Sequence, residues 1–167
     1  MITRQDLLEE LEQEAQTTRR VLEHVPGDKF DWKPHSKSMT LGQLALHLAK
    51  LPGAIAELAT RSTFDVNTQI PLPSPANVDQ LLTAHDQSVA RAKQLLGEMD
   101  DAMLSGLWRT VSGEQEIMAI PRAALLRSIM LNHKLPPPRP INRLLASGRG
   151  TCSSDIRCQC RRKPLAS

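Results

Sequence analysis

Apolar residues recur at helical intervals up to Asn132-His133 and at no regular interval after it, and this break limits what the chain can fold into. Residues 1–133 hold 13 Lys/Arg against 17 Asp/Glu and no cysteine. Residues 134–167 hold 8 Lys/Arg against a single acid, Asp155, together with all three cysteines. The formal charge of +3 therefore divides into −4 before the break and +7 after it. The expected organisation is a folded domain over residues 1–133, incomplete at its C-terminal end, and a basic, disordered tail over residues 134–167.

Four segments carry the periodicity. Thr3 caps a first helix reaching about Val25, with Leu7, Leu11, Ala15, Leu22 and Val25 on one side, and Pro26-Gly27 stops it. Thr40 caps a second, whose stripe of Leu41, Leu44, Leu48, Leu51, Ile55 and Leu58 keeps its phase across Pro52-Gly53. One kinked helix to about Thr60 is therefore expected rather than two. Asn77 or Ser74 starts a third, running through Leu81, His85, Val89 and Leu96 to Met99. A short helical turn over residues 100–108 and a loop or small hairpin around Ser112-Gly113 come next. Pro121 then opens a fourth helix through Leu125, Leu126, Ile129 and Met130 into His133, where Pro136-Pro137-Pro138 cannot continue it. Residues 28–39 and 61–76 read as loops.

With Phe30, Trp32, Phe64 and Trp108 as the only Phe and Trp and with no Tyr, the core must be filled by Leu, Ala, Val and Ile. Such a core suits helices better than a sandwich. The expected fold is all-α: an antiparallel four-helix bundle whose fourth helix, truncated near His133, is about 20 Å long against about 30 Å for its partners.

The charge split argues against a nucleic-acid partner, because the folded part is mildly acidic and the basic character belongs to the tail. No apolar run reaches the ~18 residues that span a bilayer, and the acidic, amphipathic N-terminus is unlike a signal peptide. No membrane partner and a cytoplasmic location are therefore expected.

Five histidines are the candidates for chemistry. His47 flanks the apolar stripe of the second helix, and His133 lies four residues after Ile129 on the inner face of the fourth. Two inward imidazoles on different helices can coordinate one metal, although buried, hydrogen-bonded core histidines are the commoner outcome of such a pattern. A catalytic zinc-like site needs three protein ligands, and the usual third position, one turn beyond His133, is Pro137. His85 reads as a core or pocket-lining residue, His24 as a helix C-terminal residue and His35 as a solvated one. No nucleophile elbow or Gly-rich phosphate loop is present. Cys152, Cys158 and Cys160 have no standard metal-site spacing.

Trp32-Lys33-Pro34, the run from Ser38 through Leu41-Gly42-Gln43-Leu44 to His47-Leu48-Ala49, the stretch Met118 to Arg122 and the closing Leu131-Asn132-His133 together resemble the DinB/YfiT-like family. The resemblance covers roughly residues 1–133. It implies a four-helix bundle, often a homodimer, with a three-histidine divalent metal site (zinc, nickel or iron). His47 would be its first ligand and His133 its second. The family pattern continues from Asn-His into His-His-Arg-Gly-Gln-Leu, whose second histidine is the third ligand, and this sequence departs there. Residues 134–140 can be encoded, by one choice of synonymous codons, as AAG CTA CCA CCA CCG AGG CCA; without the first base this reads Ser-Tyr-His-His-Arg-Gly. Residues 134–167 are thus expected to be an out-of-frame reading of a family member's last segment.

The resemblance also implies a metal-dependent enzyme acting on a small molecule, either a hydrolase or a thiol-dependent transferase. Three neutral imidazoles would leave positions on the metal for a water or a thiol. With only His47 and His133 retained, weak or absent metal binding and impaired activity are expected. The alternative is a non-enzymatic module, a helical dimer or small-ligand binder in a stress response. The nucleotide sequence across codon 133 tests the frame offset. Codons at 134–140 compatible with His-His-Arg-Gly in the shifted frame are expected, and incompatible ones overturn it.

Overall fold

The structure is a computed structural model that describes residues 2–68, 70–71 and 73–131. The expected end of the fourth helix, the truncation near His133 and the disordered tail lie outside the described residues.

Each long helix starts where a side chain satisfies its free backbone donors. Thr3 Oγ1 accepts Asp6 N–H at 3.2 Å while Asp6 accepts Thr3 N–H at 2.9 Å, and this capping box opens α1 (Arg4–Glu23). Thr40 and Gln43 repeat it, at 3.1 and 3.0 Å, to open α2 (Leu41–Thr60). Asn77 Oδ1 accepts Gln80 N–H at 2.8 Å to open α3 (Val78–Glu98). A short α4 (Asp101–Ser105) follows, capped by Asp100. After it come two strands, and then α5 (Arg122–Leu125), which passes directly into π-helical turns over Leu126–Leu131.

The all-α bundle expected from the sequence is observed, with one refinement of helix direction. Ion pairs Arg19–Asp86 and Lys93–Glu12 set α1 antiparallel to α3. Ser88 meets Lys50 and Gly53, and Arg91 meets Glu57 one turn further on, so α2 and α3 run parallel. The long connection 61–77 makes this feasible, because extended chain of that length can return along a helix of about 30 Å. Arg122 begins beside Ala59, so the last segment runs back along α2 in the opposite direction.

Part of that connection is not loop. Thr63–Asp65 forms β1, parallel to β2 (Leu107–Ser112), which pairs antiparallel with β3 (Gln115–Pro121). The hairpin foreseen at Ser112-Gly113 is present, and Gly113 at φ +59° suits the first central position of a type II′ turn. Burial explains β1: Phe64 stacks on Trp108 with ring centroids 6.4 Å apart, and the Trp108 indole donates to the Leu58 carbonyl at 3.0 Å. A strand this short leaves almost no period-two pattern to read.

The fourth helix also differs from its expectation. Leu125, Leu126, Met130 and Leu131 are buried and Ile129 only partly so, a spacing of five in place of the four that an α-helix gives. The wider π turn supplies that extra residue.

Pro52 sits inside α2 without breaking it. Gly53 N–H donates to Ser88 Oγ at 2.8 Å, and Ser88 Oγ–H donates to the Lys50 carbonyl at 2.9 Å, so one hydroxyl of α3 serves two backbone groups at the distorted turn. A Cβ on Gly53 would lie 3.0 Å from the Ser88 carbonyl oxygen. Gly53→Ala is expected to destabilise the fold by about 1–3 kcal/mol through overpacking against a backbone that cannot retreat. Ser88→Ala should cost about 1–2 kcal/mol by leaving Gly53 N–H unsatisfied. Urea unfolding measures both, and midpoints equal to the parent's for the pair would show that this contact does not hold the helices together.

Candidate functional site

His47 lies nearly two turns into α2 and is half-buried. It lines a groove of about 200 Å³ on one face of that helix. The residues around it on α2 are Gln43, Leu46, Lys50, Leu51 and Ala54, continuing toward Leu58. Ile70, Pro71 and Pro73 of the returning connection form the opposite wall. Gln43 is held in place by its cap bond to Thr40 N–H at 3.0 Å.

The expected partner, His133, lies outside the described residues, as do Pro137 and the three cysteines. Among the described residues no group of three His, Cys, Asp or Glu side chains is placed to hold a metal. His47 alone is one imidazole where a catalytic zinc-type site needs three donors, so the described part does not by itself fit a metal.

The remaining histidines have structural placements. His85 is 2% exposed on α3, with Nδ1 3.6 Å from Asp86 Oδ1, and is the core histidine that its position on the stripe implies. Asp86 in turn holds the Arg19 guanidinium, raising the arginine's pKa through that hydrogen bond. His24 caps α1, its Nδ1 2.7 Å from the Arg20 carbonyl. His35 is exposed and accepts Lys37 N–H at 3.2 Å.

The last described segment reaches this region because α2's C-terminus holds its beginning. Arg122 Nε donates to the Ala59 carbonyl at 2.9 Å and a second guanidinium nitrogen to the Arg61 carbonyl at 3.4 Å. From there Leu126, Met130 and Leu131 pack in one core with Leu51, Ile55 and Ala56 of α2. Leu51 is one turn from His47. The sequence pattern singled out His47 but not Lys50, Ala54 or Ile70. The available signal was that α2 is apolar at 51, 54, 55 and 58, wider than one stripe needs.

Four helical segments arranged up-down-down-up, with a small sheet bridging the ends of α2 and α4, define a helical-bundle class. The family model of the DinB superfamily matches residues 10–126, and the chain belongs to that superfamily. Among solved structures, a DinB-like protein from Bacillus subtilis, YjoA, is similar at a TM-score of 0.62 and 14% identity, over 87% of this chain and 93% of that one. A mutant of the mycothiol-dependent maleylpyruvate isomerase is similar at a TM-score of 0.51 and 20% identity, over 81% of this chain and 62% of that one. The chain thus spans less than two thirds of the isomerase. Both likenesses show the fold. No curated protein matches the chain. Among the described residues, no helix is long and apolar enough to cross a membrane.

Arg122→Met should destabilise the protein by about 2 kcal/mol, since the freed carbonyls sit at a partly buried helix end. Hydrogen exchange should show faster opening of Leu125–Leu131 than of α1 in this variant. Equal protection of the two segments would show that Arg122 does not anchor the last one.

Proposed function

We propose that this chain derives from a metal-dependent enzyme of the hydrolase or thiol-transfer kind. In the intact form a divalent metal would be held by His47, His133 and an imidazole at the position that Pro137 occupies. In the chain as it stands, metal binding is weak and activity impaired.

The observation that carries this reading is the direction and level of the last segment. Arg122 is pinned at Ala59, and His47 lies about 18 Å back along α2 from that point at 1.5 Å per residue. The described end of that segment, Met130-Leu131, packs in one core with Leu51, one turn from His47, so a chain continued in the same direction would approach the first imidazole. The π turns over Leu126–Leu131 agree with a functional site, because such turns concentrate there. The similarity to a thiol-dependent isomerase supports thiol chemistry within the same fold.

Metal analysis of the purified full chain after zinc loading and dialysis tests the reading. Well under one equivalent per chain is expected. Restoring the reading frame after codon 133 should raise this to about one equivalent, and His47→Ala in the restored chain should remove it. One tightly held equivalent in the chain as given would refute the claim of impairment. A restored chain that binds no better would refute the site.

A further inference from the structure

The groove beside His47 carries a charge pattern that the metal reading does not use. The described residues are acidic along α1, where Asp6, Glu9, Glu10, Glu12 and Glu14 follow one another. Between Asp31 and Glu57 there is no Asp or Glu, and between Asp65 and Asp79 there is none either. These two acid-free stretches supply the two walls of the groove. Glu57 is turned away and ion-paired with Arg91 at 3.1 Å. Among the described residues the lining therefore has one fixed cation, Lys50, three residues after His47 on the same helical face, and no carboxylate.

Polarity is also graded along the groove. Gln43, His47 and Lys50 occupy the end nearer the start of α2, and Leu51, Ala54, Ile55 and Leu58 form the floor toward its end. Lys50 and Ala54, in the middle of the groove, are exposed and so within reach of a small molecule. The volume of about 200 Å³ is somewhat larger than the ~150 Å³ engineered apolar cavity known to take up benzene.

We infer that this groove binds small amphiphilic carboxylates. The apolar body, about one ring in size, lies over Ala54, Ile55 and Leu58, and the carboxylate pairs with the Lys50 ammonium beside His47. A cation does not fit, because among the described residues the lining carries no acid. This goes beyond the metal reading and does not rest on it, since Lys50 and the apolar floor lie entirely on described elements.

The test is titration of the full-length, nitrogen-15-labelled chain with phenylpropionate in the presence of a chelator, followed by amide shifts. Saturable shifts at Leu46, Lys50, Leu51 and Ile55 are expected. Lys50→Gln should weaken binding about three- to fivefold, the range of a partly exposed ion pair. Phenylpropanol should bind more weakly than the acid and be indifferent to Lys50→Gln, and phenylpropylamine should not bind. Ala54→Phe, an exposed position whose substitution leaves the core intact, should block both acid and alcohol. Equal binding of acid and alcohol, or acid binding unaffected by Ala54→Phe, overturns the proposal. So do groove amides that fail to respond because a second copy or the chain beyond Leu131 covers them. Because the chelator removes metal from the experiment, this result and the metal analysis can each fail without the other.

Discussion

The hydroxyl of Ser88 is the contact on which the arrangement of this bundle depends. Proline inside a helix removes one donor and pushes the preceding carbonyls aside. In α2 that disturbance falls at Pro52-Gly53, and Ser88 both accepts from Gly53 N–H and donates to the Lys50 carbonyl. The absence of a side chain at Gly53 lets the α3 backbone come close enough to do this. The same level marks a division in the core. Leu22, Phe30, Leu41, Ala45, Ala49 and Leu81 pack on one side of it. Leu7, Leu11, Ile55, Leu96, Leu126 and Met130 pack on the other. His47 and Lys50 belong to the first half of α2, and the sheet and the last segment are attached to the second. The clamp therefore fixes how the groove is presented to the segment that runs back along it.

The parts of the fold legible in the sequence are those set by local chemistry. Thr3 and Thr40 are readable as caps because each is a side-chain acceptor just before an apolar stripe, and of the two candidates Asn77 and Ser74 it is Asn77 that makes the cap bond of the third helix. The continuity of α2 across Pro52 was readable because Ile55 and Leu58 keep the phase. Helix direction was not, because a stripe looks the same whichever way its partner runs. The parallel pairing of α2 and α3 is decided by a tertiary contact at Ser88 and by a connection long enough to return. β1 was hidden for a related reason: its stability comes from Phe64 meeting Trp108, residues far apart in the chain. The π segment shows a subtler failure. Leu125, Leu126, Ile129 and Met130 fit an α pattern, but Leu126 and Leu131 are also an i, i+5 pair, and packing against α2 selects that alternative.

The candidate site divides along the same line. His47 is legible as a candidate because it flanks the apolar stripe of α2, and the structure puts it half-buried on a groove. Its neighbours were missed because Lys50 reads as an ordinary solvated residue and Ala54 as filler. Their significance arises only when the returning connection, with Ile70, Pro71 and Pro73, stands opposite them. Sequence spacing describes one wall of a groove; the other wall is a matter of topology.

Charge explains why such a groove can persist on a domain that is acidic before its tail. The carboxylates of α1 are largely engaged along its length: Asp6 in the cap, Glu10 with Arg127 at 2.7 Å, and Glu12 with Lys93. Asp6 and Glu12 both have lowered pKa values, by the Thr3 backbone hydrogen bond and the Lys93 hydrogen bond respectively, so these acids stay ionised and occupied. Their cations come from α3 and the last segment, and α2 contributes none of its own. Lys50 is left on a face where no acid of its own helix competes for it, since Glu57 is taken by Arg91. Lys50 thereby stands beside His47 and the apolar floor, while the acids of α1 are engaged by α3 and the last segment.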